Sequence, residues 1–229
     1  MGLDMYLERM PRHGNTTPRE ISGIESYFDW KADKENPESN ARKYTLKEWC
    51  GVDYKTLPPK HVRDFYKEHI QFGYADWDTE QQYTGRYRII EQVAYWRKAN
   101  AIHDWFVHNV QDGEDDCNYH DEVTKEILEE LLDTCEIVLT NSKLVEGKVA
   151  NGYHYNDSYE KVYNYVEGKY IEDPSVAKEL LPTTSGFFFG STDYDEYYYE
   201  DIEYTANKIR EILETTDFET QMIYYISSW

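Results

Sequence analysis

At 229 residues, with 45 acidic against 24 basic side chains, the chain has room for a full hydrophobic core and a net charge of −21. Such a surface repels nucleic acid and anionic membrane and favours basic protein partners. Three cysteines, Cys50, Cys117 and Cys135, are odd in number and far apart, which argues against a disulfide framework and fits a reducing compartment.

The first element is LDMYL (3–7), a short apolar strand. Thr17-Pro18-Arg19-Glu20 is a capping box with proline at the first helical position, so a helix is expected to start there and run past Trp30. Thr45 and Glu48 repeat the signature for a short helix ending near Gly51, and Pro58-Pro59 opens another through HVRDFYKEHI. A long helix is expected from about Tyr87 to Val110, followed by the loop QDGEDDCNY. Thr124 caps a clear amphipathic helix to Leu139.

Residues 142–170 read as an irregular hairpin turning at Asn151-Gly152. Asp173-Pro174 caps a short helix ending at Leu181-Pro182, and GFFFG (186–190) reads as a buried strand. Asp193 with Glu196 suggests a capping box for a helix to about Thr215, and QMIYYISSW reads as a final strand. The order lacks regular βαβ alternation. It predicts an α+β fold, one domain over 1–229 with a hairpin excursion at about 142–170, in which a helical layer packs on a small antiparallel sheet. LDMYL and MIYYISSW are candidates to pair.

The charge is concentrated. Residues 111–139 carry ten excess negative charges and residues 193–220 carry eight, while 1–110 are nearly balanced. Glu126, Glu129 and Glu130 on the first segment, with Glu196, Glu200, Glu203, Glu211 and Glu214 on the second, form a candidate acidic interaction surface. A solubility surface on two amphipathic helices explains the same pattern. Tyrosine is the other excess: 13 of the 23 fall between Tyr153 and Tyr225, suiting half-buried strands and contact surfaces alike.

The stretch YWRKANAIHDWFVHNV (95–110) carries a polar cluster. Projected as a helix with Ile89 at zero, Asn100 falls at about 20° and His103 at about 320°, inside an apolar arc shared with Trp96. Gln92 and Gln111 extend the polar pattern, and Arg97 lies on its margin. Each buried polar group left unpaired costs about 1–3 kcal/mol, so these residues need partners. Two readings follow: a network tying the helix to sheet or loop backbone, or a pocket in which Trp96, Arg97, Asn100, His103 and Gln111 bind a ligand.

The acidic run Asp112–Asp116 lacks the alternating spacing of a calcium loop, and Cys117 with His120 makes only half a zinc site. No nucleophile elbow, phosphate-binding glycine loop or dinucleotide fingerprint occurs, so no catalytic residue, metal or cofactor is assigned. The N-terminus carries Asp4 and no secretory pattern, and no stretch nears the about 18 apolar residues of a spanning helix. A cytoplasmic location without membrane contact is expected.

The blocks MGLDMYL, YWRKANAIHDWFVHNVQDGEDDC, LLPTTSGFFFGSTDYDEYYYED and the terminal SSW resemble phage- and prophage-encoded proteins of unknown function. That resemblance implies a non-structural phage protein in an infected bacterial cell, of a kind associated with antagonism of host defences. The leading expectation is non-catalytic sequestration of a small nucleotide-like ligand by the Trp/Arg/Asn/His cluster. The alternative is an acidic nucleic-acid mimic that occupies a basic defence protein, as an anti-CRISPR or anti-restriction protein would. An enzyme acting on a nucleotide or nucleic acid is a third reading, direct nucleic-acid binding is not expected, and a homo-oligomer is compatible with each.

Overall fold

The structure, a computed structural model, describes residues 2–12, 17–50, 64–65, 68, 71–72, 87–115, 117 and 122–229. The fold is α+β, with helices and small antiparallel sheets. The chain divides into two compact units: 1–7, 93–218 and 223–229 form the first, and 8–92 with 219–222 the second. The main sheet has three strands, β1 (Asp4–Pro11), β4 (Glu91–Arg97) and β7 (Gln221–Ser228), in the order β4-β1-β7. Lys98 N–H donates to Leu3 O and Arg12 N–H donates to Thr220 O, each at 2.8 Å, which makes both neighbours of β1 antiparallel to it. The first and last strands therefore pair, as LDMYL and MIYYISSW led us to expect.

In the second unit, α1 (Pro18–Glu35) starts at the expected capping box: Thr17 Oγ1 accepts from Glu20 N–H, and the Glu20 carboxylate accepts from Thr17 N–H. Its buried stripe is Ile21, Ile24 and Tyr27. Glu25 is buried on the same helix, and its carboxylate accepts from the backbone N–H groups of Ile89 and Ile90. Helix α2 (Leu46–Cys50) is capped by Thr45 and Glu48, whose hydrogen bonds to Thr45 hold its carboxyl below the usual range. Gln71–Phe72 (β2) pairs with Tyr87–Arg88 (β3). The helix expected after Pro58-Pro59 lies mostly outside the described residues, where Asp64, Phe65 and Glu68 are helical.

In the first unit, α3 (Asn100–Val110), α4 (Lys125–Asn141) and α6 (Glu196–Thr215) contribute to one core with the sheet. Thr124 caps α4 as expected, and Leu128, Leu131, Cys135 and Val138 form its buried stripe. Helices α4 and α6 pack side by side. The hairpin of β5 (Leu144–Tyr155) and β6 (Lys161–Ile171) is largely exposed, and a short α5 (Ser175–Leu180) follows it.

Four local expectations are corrected. Residues 87–99 are not helical: β4 occupies 91–97, Lys98 takes a left-handed backbone (φ 65°), and the helix starts only at Asn100. Buried Ala94 and Trp96 alternate with partly exposed neighbours, the period of a strand. GFFFG is a turn, not a buried strand, and Phe187 is 95% exposed. Asn151-Gly152 is an irregularity within β5, where Gly152 (φ 76°) absorbs a register shift. The turn falls instead at 156–160, where the Asn156 amide oxygen accepts from Ser158 and Glu160 N–H. Finally, α6 is capped by Asp195, not Asp193: its carboxylate accepts from Tyr197 and Tyr198 N–H.

Candidate functional site

The strand-to-helix switch at Lys98 decides where the polar cluster goes. Trp96 and Arg97 are neighbours on a strand and so point to opposite faces. Trp96 is 2% exposed, and its indole N–H donates to Thr205 Oγ1 at 2.8 Å, locking β4 to α6. Arg97 is on the other side, largely exposed, with Nε 4.0 Å from Asp4 Oδ1. Gln111 is buried at the far end of α3, where its N–H closes the helix onto Phe106 and Val107 carbonyls.

Asn100 is buried and fully occupied by backbone. Its amide nitrogen donates to Phe189 O (3.0 Å) and Ser191 O (2.7 Å), and its oxygen accepts from Thr184 N–H (3.0 Å). One side chain thus pins both ends of the 184–191 turn. Gly190 (φ 90°) brings that turn close enough that an added Cβ would meet Lys98 Cβ at 3.1 Å. For Asn100 the hydrogen-bond network, not a ligand contact, accounts for the burial.

His103, one turn on, is 1% exposed. Its Nδ1 bonds the Tyr225 hydroxyl at 2.7 Å, and its Nε2 lies 3.2 Å from Asp115 Oδ2 without hydrogen-bond alignment. A proton on Nε2 is the tautomer that avoids setting a lone pair against the carboxylate. Tyr225 is stacked on Phe106 (4.3 Å, 14°), and burial first, then the Asp115 charge, raises its hydroxyl well above the usual tyrosine range. Asp115 Oδ1 also accepts from Trp229 Nε1 at 3.0 Å. Phe189 meets the His103 ring edge-on at 5.0 Å and the Trp229 ring at 6.2 Å. His103, Asp115, Phe189 and Trp229 border a cavity of about 410 Å³.

The predicted cluster is therefore divided. Arg97 and Asn100 border a different cavity, of about 500 Å³, together with Asp193, Asp195, Glu200 and Asp201. Lys98 borders it as well, so two basic side chains face four acidic ones there. Burial, reinforced by Asp195 and Glu200, pushes Asp201 up to about 7. An acid raised in this way costs stability as it ionises. Below its ordinary value of 3.8 both states hold the proton; as pH rises the unfolded chain releases it first, and the loss is complete only above about 7. Asp201→Asn should therefore stabilise the protein increasingly from pH 5.5 to 8, the difference growing by on the order of 2 kcal/mol across that range. Urea midpoints of both proteins across that range check it; a pH-independent difference would mean that Asp201 titrates normally.

The acidic residues lie on two helices that pack together. On α4, Glu126, Glu129, Glu130, Asp133 and Glu136 are exposed at helical spacing, opposite the buried stripe. On α6, Glu200, Glu203, Glu211 and Glu214 are exposed, while Glu196 is half-buried. Arg210 Nη2 meets Glu136 Oε1 at 2.8 Å, so the two acidic stripes adjoin there. Lys125–Glu129 (3.3 Å) and Lys208–Glu211 (2.7 Å) are surface pairs and neutralise only part of the charge.

Asp115, Tyr225 and Trp229 have no place in the sequence-based site, because Asp115 and Tyr225 reach His103 from a loop and from the last strand, and Trp229 reaches Asp115 from just beyond that strand. Only the isolated Trp229 next to an apolar strand hints at them. No family model, no curated protein and no solved structure matches the chain. Among the described residues, no helix is long and apolar enough to cross a membrane.

Proposed function

We propose that the protein is a non-catalytic binder whose α4–α6 face occupies the basic, nucleic-acid-binding surface of another protein. The observation that carries this reading is the joining of two acidic stripes into one face by the Arg210–Glu136 contact. The buried stripes of both helices face the core, and most of the carboxylates are displayed outward. Such a face attracts lysine- and arginine-rich surfaces over roughly a Debye length of about 10 Å at moderate salt. With the phage resemblance, the partner would be a bacterial defence protein that handles nucleic acid. Sequestration of a nucleotide-like ligand has less support, since Trp96, Arg97, Asn100 and His103 do not share a cavity and Asn100 has no free hydrogen-bonding group.

The immobilised protein should capture a DNA- or RNA-binding protein from a bacterial lysate at low salt and release it to duplex DNA or to high salt. The triple variant Glu126→Gln, Glu129→Gln, Glu130→Gln should weaken that capture at least about tenfold, each lost charge contributing a fraction of a kcal/mol. A complex indifferent to salt and to the triple variant would overturn the mimicry.

A further inference from the structure

We infer that the cavity beside His103 binds an organic cation, a guanidinium or alkylammonium group, held by Asp115 against an aromatic wall that includes Trp229. Two carboxylates, Asp104 and Asp115, border the cavity, and among the described residues lining it there is no lysine or arginine. The remaining walls are largely aromatic, with Phe188, Phe189 and Trp229 placed around the same space. Negative charge beside aromatic faces is the environment that draws a cation from water, through Coulomb attraction and the ring quadrupole together. Tryptophan is the strongest ring for that role.

Asp115 is a held carboxylate rather than a solvated one. Trp229 Nε1 fixes Oδ1 at 3.0 Å, and His103 Nε2 stands 3.2 Å from Oδ2. A carboxylate offers about four acceptor sites. Among the described residues these two neighbours occupy fewer than its available acceptor sites. His103 is the buried polar group beside this carboxylate: it is 1% exposed, anchored at Nδ1 by Tyr225, and its Nε2 faces Asp115 Oδ2 at the border of the cavity without hydrogen-bond alignment. Burying such an atom costs free energy, and a site that orients a carboxylate gives that cost a purpose.

The exposed apolar surface fits as well. Trp229 is 47% exposed and Phe187 95% exposed at the mouth of the cavity, so an arriving alkyl chain would cover surface that is otherwise wet. The cavity, at about 410 Å³, is ample for an arginine-sized group. A metal ion suits it poorly: two carboxylates in an aromatic box are too few oxygens for a hard cation, and among the described residues no group of three acidic, histidine or cysteine side chains is placed to hold one. The inference is independent of the α4–α6 face, which contributes no residue to this cavity.

Calorimetric titration of the full chain with agmatine and with the peptide Gly-Arg-Gly tests it, with neutral butylurea as the uncharged counterpart. At least one cationic probe should bind, and butylurea at least tenfold more weakly. Tighter agmatine marks a free small cation as the occupant; tighter Gly-Arg-Gly marks an arginine side chain of a polypeptide. Asp115→Asn keeps the acceptor for Trp229 and should weaken binding at least tenfold. Trp229→Ala should do the same, and Trp229→Phe should restore part of it. The Glu126/Glu129/Glu130 triple glutamine variant should bind the probes as the parent does, which separates this site from the acidic face. Absence of binding at millimolar probe, equal binding of butylurea, or undiminished binding by folded Asp115→Asn and Trp229→Ala would overturn the inference.

Discussion

Asn100→Ala should destabilise the first unit by about 3 kcal/mol, more than a small exposed asparagine could account for. The substitution leaves two carbonyls, Phe189 O and Ser191 O, and one N–H, Thr184, without their partner. Each such group costs about 1–3 kcal/mol when it stays buried, and less where the turn can open to water. Asn100→Asp should be no better: a carboxylate still accepts from Thr184 N–H but faces two carbonyl oxygens to which it cannot donate. The loss should be local in character. Chymotrypsin cleavage within Phe187–Phe189 should accelerate well before the core of α4 and α6 unfolds, because Asn100 is what ties that turn to α3. Urea midpoints and timed digestion read the two effects separately. A variant with parental stability and parental cleavage would show that the turn is held by the Leu3 N–H to Phe188 O bond and its neighbours instead.

Where local chemistry decides the structure, the sequence was legible. Thr17-Pro18-Arg19-Glu20 forms its capping box because all four interacting groups lie within one turn of chain. Thr124 and the apolar periodicity behind it specify α4 in the same way. The helix bearing Asn100 and His103 is different. Its N-cap is Ala99, which offers no side-chain acceptor, so no start signal separates it from the strand before it. Over 93–99 the apolar residues fit both a 3.6-residue and a two-residue period, and only pairing of β4 with β1 settles which one holds.

The candidate sites divide on the same physical line. That Asn100 and His103 are buried follows from a spacing of three on one helix, and the structure agrees. That Trp96 and Arg97 part company depends on β4 being a strand, which its pairing with β1 decides and no local propensity announces. The glycines of GFFFG bracket a turn rather than a strand because Asn100, 84 to 91 residues away, supplies its hydrogen bonds. Asn151-Gly152 has the chemistry of a tight turn, yet Asn156 five residues on caps the chain reversal with its own side chain. Two adjacent turn-formers compete there, and the sequence alone does not rank them.

Phe106→Ala should have the largest effect of any single substitution in α3, a loss of about 3–5 kcal/mol. The ring is fully buried, stacks on Tyr225 at 4.3 Å, and meets Trp105 edge-on at 5.4 Å and Trp96 at 6.2 Å. No neighbour can collapse into the space without giving up one of those aromatic contacts, so most of the cavity should persist. Phe106→Leu should cost far less, because it keeps most of the volume and loses mainly the stack, itself about 0.5–1.5 kcal/mol. The stack also couples the core to the cation cavity, since the same Tyr225 ring carries the hydroxyl that anchors His103 Nδ1. Tyr225→Phe separates the two roles: it keeps the ring on Phe106 but strips His103 of its anchor, at about 1–3 kcal/mol. A double-mutant cycle on Phe106→Leu and Tyr225→Phe, read by urea midpoints, should give a coupling energy near zero if the ring and the hydroxyl act independently. A coupling of 1 kcal/mol or more would mean that stacking sets the hydroxyl's position. In that case Phe106→Leu should also weaken agmatine binding, although Phe106 does not border the cavity.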